Sequence, residues 1–159
     1  MSGARIGGQL DCSGAELRND SGPALNAENL QVDQAMFLTD RFTATGGGED
    51  AAVNLTDTRV GGAFVFAPAH LEHTADSRRR LAVDGLTYAG VPISAQDWRN
   101  LLRDGTPGYA AQPYQQLAAG YRALGDDRQA RQTLMAQRDD QLARTQPRWP
   151  EKLDRKSVV

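Results

Sequence analysis

The sequence has little of the residues that would mark a disulfide-bonded, membrane-spanning or metal-binding protein. Cys12 is its only cysteine, so no disulfide can form within one chain, which is typical of a reducing compartment. Two histidines and 6% aromatic residues leave few metal ligands and few large core residues. No apolar run approaches the roughly 18 residues of a membrane span, and no signal-peptide pattern opens the chain. We therefore expect a cytoplasmic protein without a membrane span.

Positive charge is also scarce. The formal net charge is −2, which lacks the basic excess that binding to a nucleic-acid backbone requires, so no nucleic-acid partner is expected. The charge is uneven, because residues 1–93 hold seven arginines and twelve acids, whereas residues 94–159 hold eleven basic residues and eight acids. This asymmetry favours a C-terminal part that docks on an acidic body or an acidic partner.

Against these absences, one phrase occurs twice. The chain has "RIGGQLDCSGAEL" at 5–17 and "RVGGAFVFAPAHL" at 59–71, with "LQVDQAMFLTDRF" at 30–42 as a weaker copy between them. Apolar positions recur every 28 residues, and every 26 residues in the first copy. The columns with a step of 28 are Leu25, Val53 and Leu81; Ala27, Leu55 and Val83; Val32, Val60 and Tyr88; Met36 and Phe64; and Leu38 and Phe66.

Within each copy the apolar residues alternate, as strands do, and Gly or polar clusters separate them. Short strands at a fixed step predict a right-handed β-solenoid of three to four coils over residues 1–93. The glycine pairs at 7–8 and 61–62 are expected to form a corner with positive φ. The stretches 19–24, 45–52 and 74–80 are expected to stack along one edge, as solvated loops or as a binding groove.

After Ile93 the pattern becomes helical. Ser94 and Asp97 predict a capped helix that ends near Gly105, and a helical hairpin follows from Pro113, with its turn at Gly125. We expect residues 94–145 to cap the last coil and residues 146–159 to form a loosely ordered tail anchored by Trp149. The side chains expected on the inner faces of the hairpin are Tyr114, Leu117, Ala118, Tyr121, Leu124, Ala130, Leu134, Ala136, Gln137 and Leu142.

The stretch "LAAGYRALGDDRQAR" at 117–131 resembles one tetratricopeptide-type unit. Together with "ARIGGQLDCSGAELRNDSGPAL" at 4–25, "MFLTDRFTATG" at 36–46 and "PYQQLAAGYRALGDDRQAR" at 113–131, it is similar to a set of actinobacterial β-solenoid proteins, pentapeptide-like or bactofilin-like, that are often labelled membrane-associated oxidoreductases. The resemblance implies coils closed by a helical cap and, in longer relatives, more coils and a membrane-spanning tail. We expect this chain to be a shortened relative.

Few residues have the pattern of a catalytic or binding site. Asp84, Tyr88 and Asp57 lie near the last coils, where a cleft beside the hairpin would allow acid–base chemistry. Arg78, Arg79 and Arg80 offer paired donors to an anion from the long corner. Trp98 and Tyr114 are expected to line a pocket between the last coil and the hairpin, where a small apolar or anionic molecule would bind.

Other candidates favour structural roles. His70 and His73 are spaced by three residues and would lie on opposite faces of a strand, so no metal site is expected. Cys12 shares a column with Leu38 and Phe66, which predicts a packing role rather than a nucleophile. No G-x-G-x-x-G links a strand to a helix, so no nicotinamide or flavin cofactor is expected.

Two classes of function stay open. The first is a non-catalytic solenoid module that binds or scaffolds a protein partner. The alternative is a small cofactor-independent enzyme, a cyclase or isomerase, with its pocket between the last coil and the cap. Self-association through the first coil is a further expectation, because an uncovered coil end offers strand edges to a second copy.

Overall fold

The computed structural model describes residues 3–145, where the chain forms twelve strands, one short 3-10 helix (Ser77–Arg79) and three α-helices. The strands are β1 (Arg5–Ile6), β2 (Leu10–Asp11), β3 (Glu16–Arg18), β4 (Leu25–Asn26), β5 (Gln31–Val32), β6 (Met36–Leu38), β7 (Thr43–Gly46), β8 (Val53–Asn54), β9 (Arg59–Phe66), β10 (His70–His73), β11 (Leu81–Ala82) and β12 (Thr87–Ala89). The helices are α1 (Ala95–Asp104), α2 (Ala111–Ala123) and α3 (Asp127–Thr145). Within the described range, no helix has the length and apolar character needed to cross a membrane. The expected tail and its Trp149 lie outside the described residues.

The strands stack in parallel columns, which confirms the β-solenoid. Strand β5 pairs with β1 and β9, β6 with β2 and β9, β7 with β3 and β10, and β8 with β4 and β11. The register places Val53 beside Leu25 and Leu81, and Leu10 beside Met36, as the steps of 28 and 26 predict. About three coils are complete, and β12 continues the stack on β9. The right-handed sense stays a prediction.

The paired glycines have a different role from the one predicted. None of Gly7, Gly8, Gly61 and Gly62 has a positive φ, and the later pair lies inside β9, so the predicted left-handed corner is wrong there. A Cβ added at Gly61 would lie 2.4 Å from the carbonyl oxygen of Asp33 in the coil beneath. Glycine is needed at this position because two coils approach each other closely.

The left-handed corner lies elsewhere in the coil. Asn29, Asp57 and Gly85 have φ of 58°, 55° and 82° and follow each other at the 28-residue step. Asn, Asp and Gly are the residues that tolerate this conformation best. In the second coil the side chain of Asn54 supports the turn, since its Oδ1 accepts a hydrogen bond from the Thr56 backbone N at 3.1 Å.

The long corners stack along one edge, as expected. The backbone N of Gly47 donates to the carbonyl oxygen of Gly22 at 2.9 Å, and the N of Thr74 donates to the oxygen of Gly46 at 2.9 Å. Three successive coils are therefore hydrogen-bonded through their loops as well as through their strands.

The core runs through the stack into the helices. Trp98 of α1 packs edge-on against Phe64 and Phe66, with ring centroids 6.1 and 5.7 Å apart. At the other end, Leu10 and Cys12 of the first coil are only partly buried. The aromatic contacts make the cap part of the solenoid core, whereas the first coil has a neighbour on one side only within the described residues.

The helix boundaries follow the predicted signals. Ser94 caps α1, since its Oγ accepts from the backbone N of Asp97 at 3.3 Å, and Gly125 has a φ of 78° between α2 and α3. Two expectations about inner faces are wrong: Leu124 is 63% exposed and Leu142 is 48% exposed. Leu124 follows the last residue of α2, and the face that α3 buries is the one with Ala130, Thr133 and Asp140 rather than the one with Leu142.

Candidate functional site

The junction between the last coil and the cap is closed by glutamine side chains. The amide of Gln112 accepts from the backbone N of Gly85 and donates to the oxygen of Leu86, both at 2.9 Å. Gln116 donates to the backbone oxygen of Tyr88 at 2.8 Å. These amides take the place of the peptide groups that another coil would supply, so the edge of the last coil is not left open here.

Aromatic side chains fill the inside of this junction. Tyr88 and Trp98 are 8% and 1% exposed and contact Phe64, so neither reaches a solvent-filled pocket. Burial raises the pKa of Tyr88, and the nearby Trp98 indole offsets part of that rise. Among the described residues, the Tyr88 hydroxyl and the Trp98 Nε1 are buried without a partner in hydrogen-bond geometry. The two side chains are therefore placed as core residues.

Tyr114, also expected at the pocket, belongs to a buried polar network. Its hydroxyl donates to Oδ2 of Asp140 at 2.5 Å, and Nε of Arg144 donates to Oδ1 of the same carboxylate at 2.6 Å. Arg144 also donates to the backbone oxygens of Leu102 and Thr106, both at 3.0 Å, near the end of α1. Burial, followed by the hydrogen bond to Asp140, raises the pKa of Tyr114, which therefore stays protonated. This network joins α1, α2 and α3.

A groove of about 220 Å³ opens beside the junction. Asp84, Tyr109 and Tyr114 are among its lining residues, and the rest of the lining is mainly apolar. Asp84 is exposed, and so is Asp57, whose backbone N donates to the Asp84 oxygen at 2.9 Å. Tyr88 does not line this groove, so the structure brings Asp84 and Tyr114 together but separates both from the Tyr88 hydroxyl.

The three arginines of the long corner point to different partners. Arg79 donates to the Glu49 backbone oxygen at 3.1 Å, and Arg80 donates to the oxygen of Ser77 at 2.8 Å. Arg78 is exposed at the rim of another groove, near Arg144. Two of the three guanidinium groups are thus used to hold backbone carbonyls of the corner rather than to form one anion site.

The histidines also take structural positions. His73 is buried and accepts from the backbone N of Ala75 and Asp76 through Nδ1, at 3.1 and 3.0 Å, while its Nε2 faces the oxygen of Asp50 at 3.1 Å. His70 is exposed on the opposite face of β10, as predicted. Among residues 3–145, no group of three His, Cys, Asp or Glu side chains is placed to hold a metal ion.

Cys12 lies in the first coil, half-buried against the core. Burial, with the neighbouring Asp11 carboxylate, raises the pKa of its thiol. A raised pKa disfavours the thiolate, which is the reactive form of cysteine. The predicted packing role agrees with this environment.

Two features of the cap were not predicted from the sequence. The first is the network around Asp140, whose only sequence signal is the spacing of four residues to Arg144 on one helix. The second is the outward face of α3, where Met135 and Leu142 are exposed. The sequence does not predict either feature, because the large apolar residues of α3 are not on the face that the helix buries.

Comparisons with protein-family models, with curated proteins and with solved structures found no match to this chain. What the protein does must therefore be argued from the geometry of its own residues. That geometry consists of a solenoid edge, a filled junction, several open grooves beside the cap and an exposed helix face. Fold alone does not decide function, so the function is inferred from the chemistry of these surfaces.

Proposed function

We propose that the chain is a non-catalytic β-solenoid module that binds or scaffolds a partner protein in the cytoplasm. The observation that carries this proposal is the packing of the junction, where an enzyme of this architecture would place its pocket. Tyr88 and Trp98 occupy that space as core residues, and a ring contact with Phe64 holds each of them. A site without room for a substrate favours a binding role over a catalytic one.

The alternative, a cofactor-independent cyclase or isomerase, would have to use an open groove beside the cap, such as the one lined by Asp84 and Tyr114. Such chemistry needs an acid and a base held near a substrate with pKa values matched to their tasks. The Tyr114 hydroxyl donates a hydrogen bond to Asp140, and its raised pKa keeps it protonated, so it is not available as a base. Asp84 is an exposed carboxylate on a corner. These properties support the binding proposal.

The cytoplasmic setting and the kinship with actinobacterial solenoid proteins are part of the same proposal. A single cysteine supports a reducing compartment. Self-association through the first coil is also proposed, since Leu10 and Cys12 are partly exposed there and β1 to β4 each pair on one side only within residues 3–145. Light scattering after size-exclusion chromatography tests it: a Leu10→Lys variant is expected to be monomeric where the parent protein dimerises, and a monomeric parent protein overturns it.

The experiment for the main proposal compares the purified protein with an Asp57→Asn/Asp84→Asn variant in a metabolite extract of the source organism. Mass spectrometry before and after incubation is expected to show no metabolite consumed by either protein. A protein lysate of the same organism is passed over the immobilised protein. A protein that is retained is expected to form a complex of fixed stoichiometry with the chain when the two are purified separately and mixed. A metabolite that the parent protein consumes and the variant does not would overturn the proposal.

A further inference from the structure

The outer surface of the cap carries the large apolar side chains that the fold leaves in solvent. Within the described residues, the exposed large hydrophobics are Leu124, Met135 and Leu142, at 63%, 66% and 48% exposure. All three lie on α3 or at the turn that leads into it. Met135 and Leu142 are seven residues apart, which places them two turns apart on one face of the helix. A grouped set of this kind marks an interaction surface more often than single scattered residues do.

The inner face of α3 is unusually polar for a helix that packs on a core. Its buried residues are Ala130, Thr133 and Asp140, and Arg144 is nearly buried beside them. Hydrogen bonds and the buried ion pair thus help to hold α3 against α1 and α2, beside the partly buried Leu134 and Ala136. Met135 and Leu142 lie on the opposite side of the helix. A helix with apolar residues on its exposed side needs a cover from outside.

Arginines lie on the same line of the helix as these apolar residues. Arg128, Arg131, Met135, Arg138 and Leu142 follow one another at spacings of three and four residues. We call these five residues the outer stripe of α3. All five are exposed, and no ion pair found within residues 3–145 includes one of the three arginines. Asp127 and Asp139 are exposed acids on either side of the stripe, so its three arginines exceed these acids by one positive charge.

Charge selects among the occupants that could cover such a stripe. An antiparallel pair of α3 helices from two copies would bring six arginines together, and like charges facing each other are unfavourable. Residues 146–159 hold four basic and two acidic residues, so this segment is not complementary to the arginines either. A partner helix whose own seam carries both apolar and acidic residues matches the stripe in both respects.

We propose that the outer stripe of α3 binds an acidic amphipathic helix of a partner protein, an inference that rests on the binding function proposed above. The spacing of three and four residues is that of a helix–helix seam. In that seam Met135 and Leu142 would contact apolar side chains of the partner helix, and the three arginines would pair with Glu or Asp at its other seam positions.

The test uses a fluorescein-labelled peptide of about 21 residues that carries, in each of three heptads, Leu at one seam position and Glu at the other. Fluorescence anisotropy with the full chain is expected to show binding that weakens as salt is added. Met135→Glu and the double variant Arg131→Glu/Arg138→Glu are each expected to weaken it at least about tenfold, since central apolar and arginine contacts dominate such interfaces. Arg59→Glu, an exposed arginine on β9, is the matched control and is expected to change nothing.

Folding is checked separately, so that loss of binding is attributed to the surface. Because all substituted side chains are exposed, the circular dichroism spectrum and the melting temperature of each variant are expected to match those of the parent protein. Hydrogen exchange with bound peptide is expected to slow in α3 and not in the coils. A peptide in which Lys replaces every Glu is expected not to bind.

Several results would overturn the inference. One is that the folded protein does not bind the acidic peptide, and another is that the Met135→Glu variant binds it as tightly as the parent protein does. The inference also fails if the protein self-associates and Met135→Glu abolishes this, or if the protein binds phosphatidylglycerol vesicles more tightly than the peptide. Stronger peptide binding after removal of residues 146–159 would show that this segment covers the stripe instead. If a captured partner protects only the coils, the binding function stands and this inference fails, whereas turnover of a metabolite counts against the function itself.

Discussion

Asp140 is a carboxylate that has almost no contact with solvent, and two donors hold it. Its side chain is 2% exposed, and it accepts hydrogen bonds from Tyr114 and Arg144. Buried charges persist in proteins only when they are paired and hydrogen-bonded. Arg144 in turn donates to carbonyls near the end of α1, so this one acid orients a guanidinium that joins two helices.

Replacing Asp140 by Asn tests this role at the scale of one residue. The variant keeps the shape but leaves the nearly buried Arg144 without its counter-charge, so we expect it to lose about 3 kcal/mol of unfolding free energy. Urea denaturation followed by circular dichroism measures the loss. Asp139→Asn, at the exposed neighbouring position, is the control and is expected to change stability by less than about 0.5 kcal/mol. Equal effects of the two substitutions would contradict the role.

Polar residues also mark the limit of what the sequence predicts about the site. The columns of Leu25, Val53 and Leu81 could be predicted, because apolar side chains at a fixed step have one way to be buried together. The buried Asp140 could not, since the spacing of an acid and an arginine on a helix is the same on a solvated face. Leu142 was placed on the wrong face for the same reason.

At the scale of elements, the glycines of the repeated phrase show how position in the stack decides a residue's role. Gly7 and Gly61 occupy the same column on either side of Asp33. A Cβ at Gly61 would meet the Asp33 carbonyl oxygen at 2.4 Å, whereas at Gly7 the nearest atom is 4.0 Å away. A sequence pattern identifies the column, but the distance between neighbouring coils appears only in the structure.

The pair makes a matched experiment. Gly61→Ala is expected to destabilise the protein by about 1–3 kcal/mol, because either the backbone of β9 or the coil beneath it must move. Gly7→Ala is expected to be neutral or slightly stabilising, since it has space and reduces the freedom of the unfolded chain. Thermal unfolding of the two variants beside the parent protein measures both. A Gly61→Ala variant as stable as Gly7→Ala would show that the coils can separate at no cost.

At the scale of the whole molecule, the division into a solenoid over residues 1–93 and a cap over 94–145 describes the order of elements rather than two cores. Trp98 packs on Phe64 and Phe66, and the buried side chains of the coils and the helices form one continuous cluster. The repeat and the helix signals predict the two segments. Their fusion depends on the tertiary packing of one aromatic residue, which a single sequence does not encode in any local pattern.

One shared core predicts one unfolding transition. The test uses a Trp149→Phe variant, in which Trp98 is the only tryptophan. Its urea unfolding is followed by circular dichroism at a wavelength that reports helix, and separately by tryptophan fluorescence. The two probes are expected to give the same urea midpoint. Trp98→Ala is expected to cost about 3–5 kcal/mol and to lower the helix and strand signals together. Loss of helix signal at a lower urea concentration than loss of strand signal would contradict a single core.

The glutamine contacts of α2 attach the cap to the last coil through main-chain atoms alone. Gln112 and Gln116 bind only main-chain atoms of the last coil, so the fit does not depend on which side chains that coil carries. A chain with one more or one fewer coil of 28 residues would present the same main-chain atoms to α2. Each added coil would then move the helices about 4.8 Å along the axis. The length of such a molecule is therefore set in whole coils.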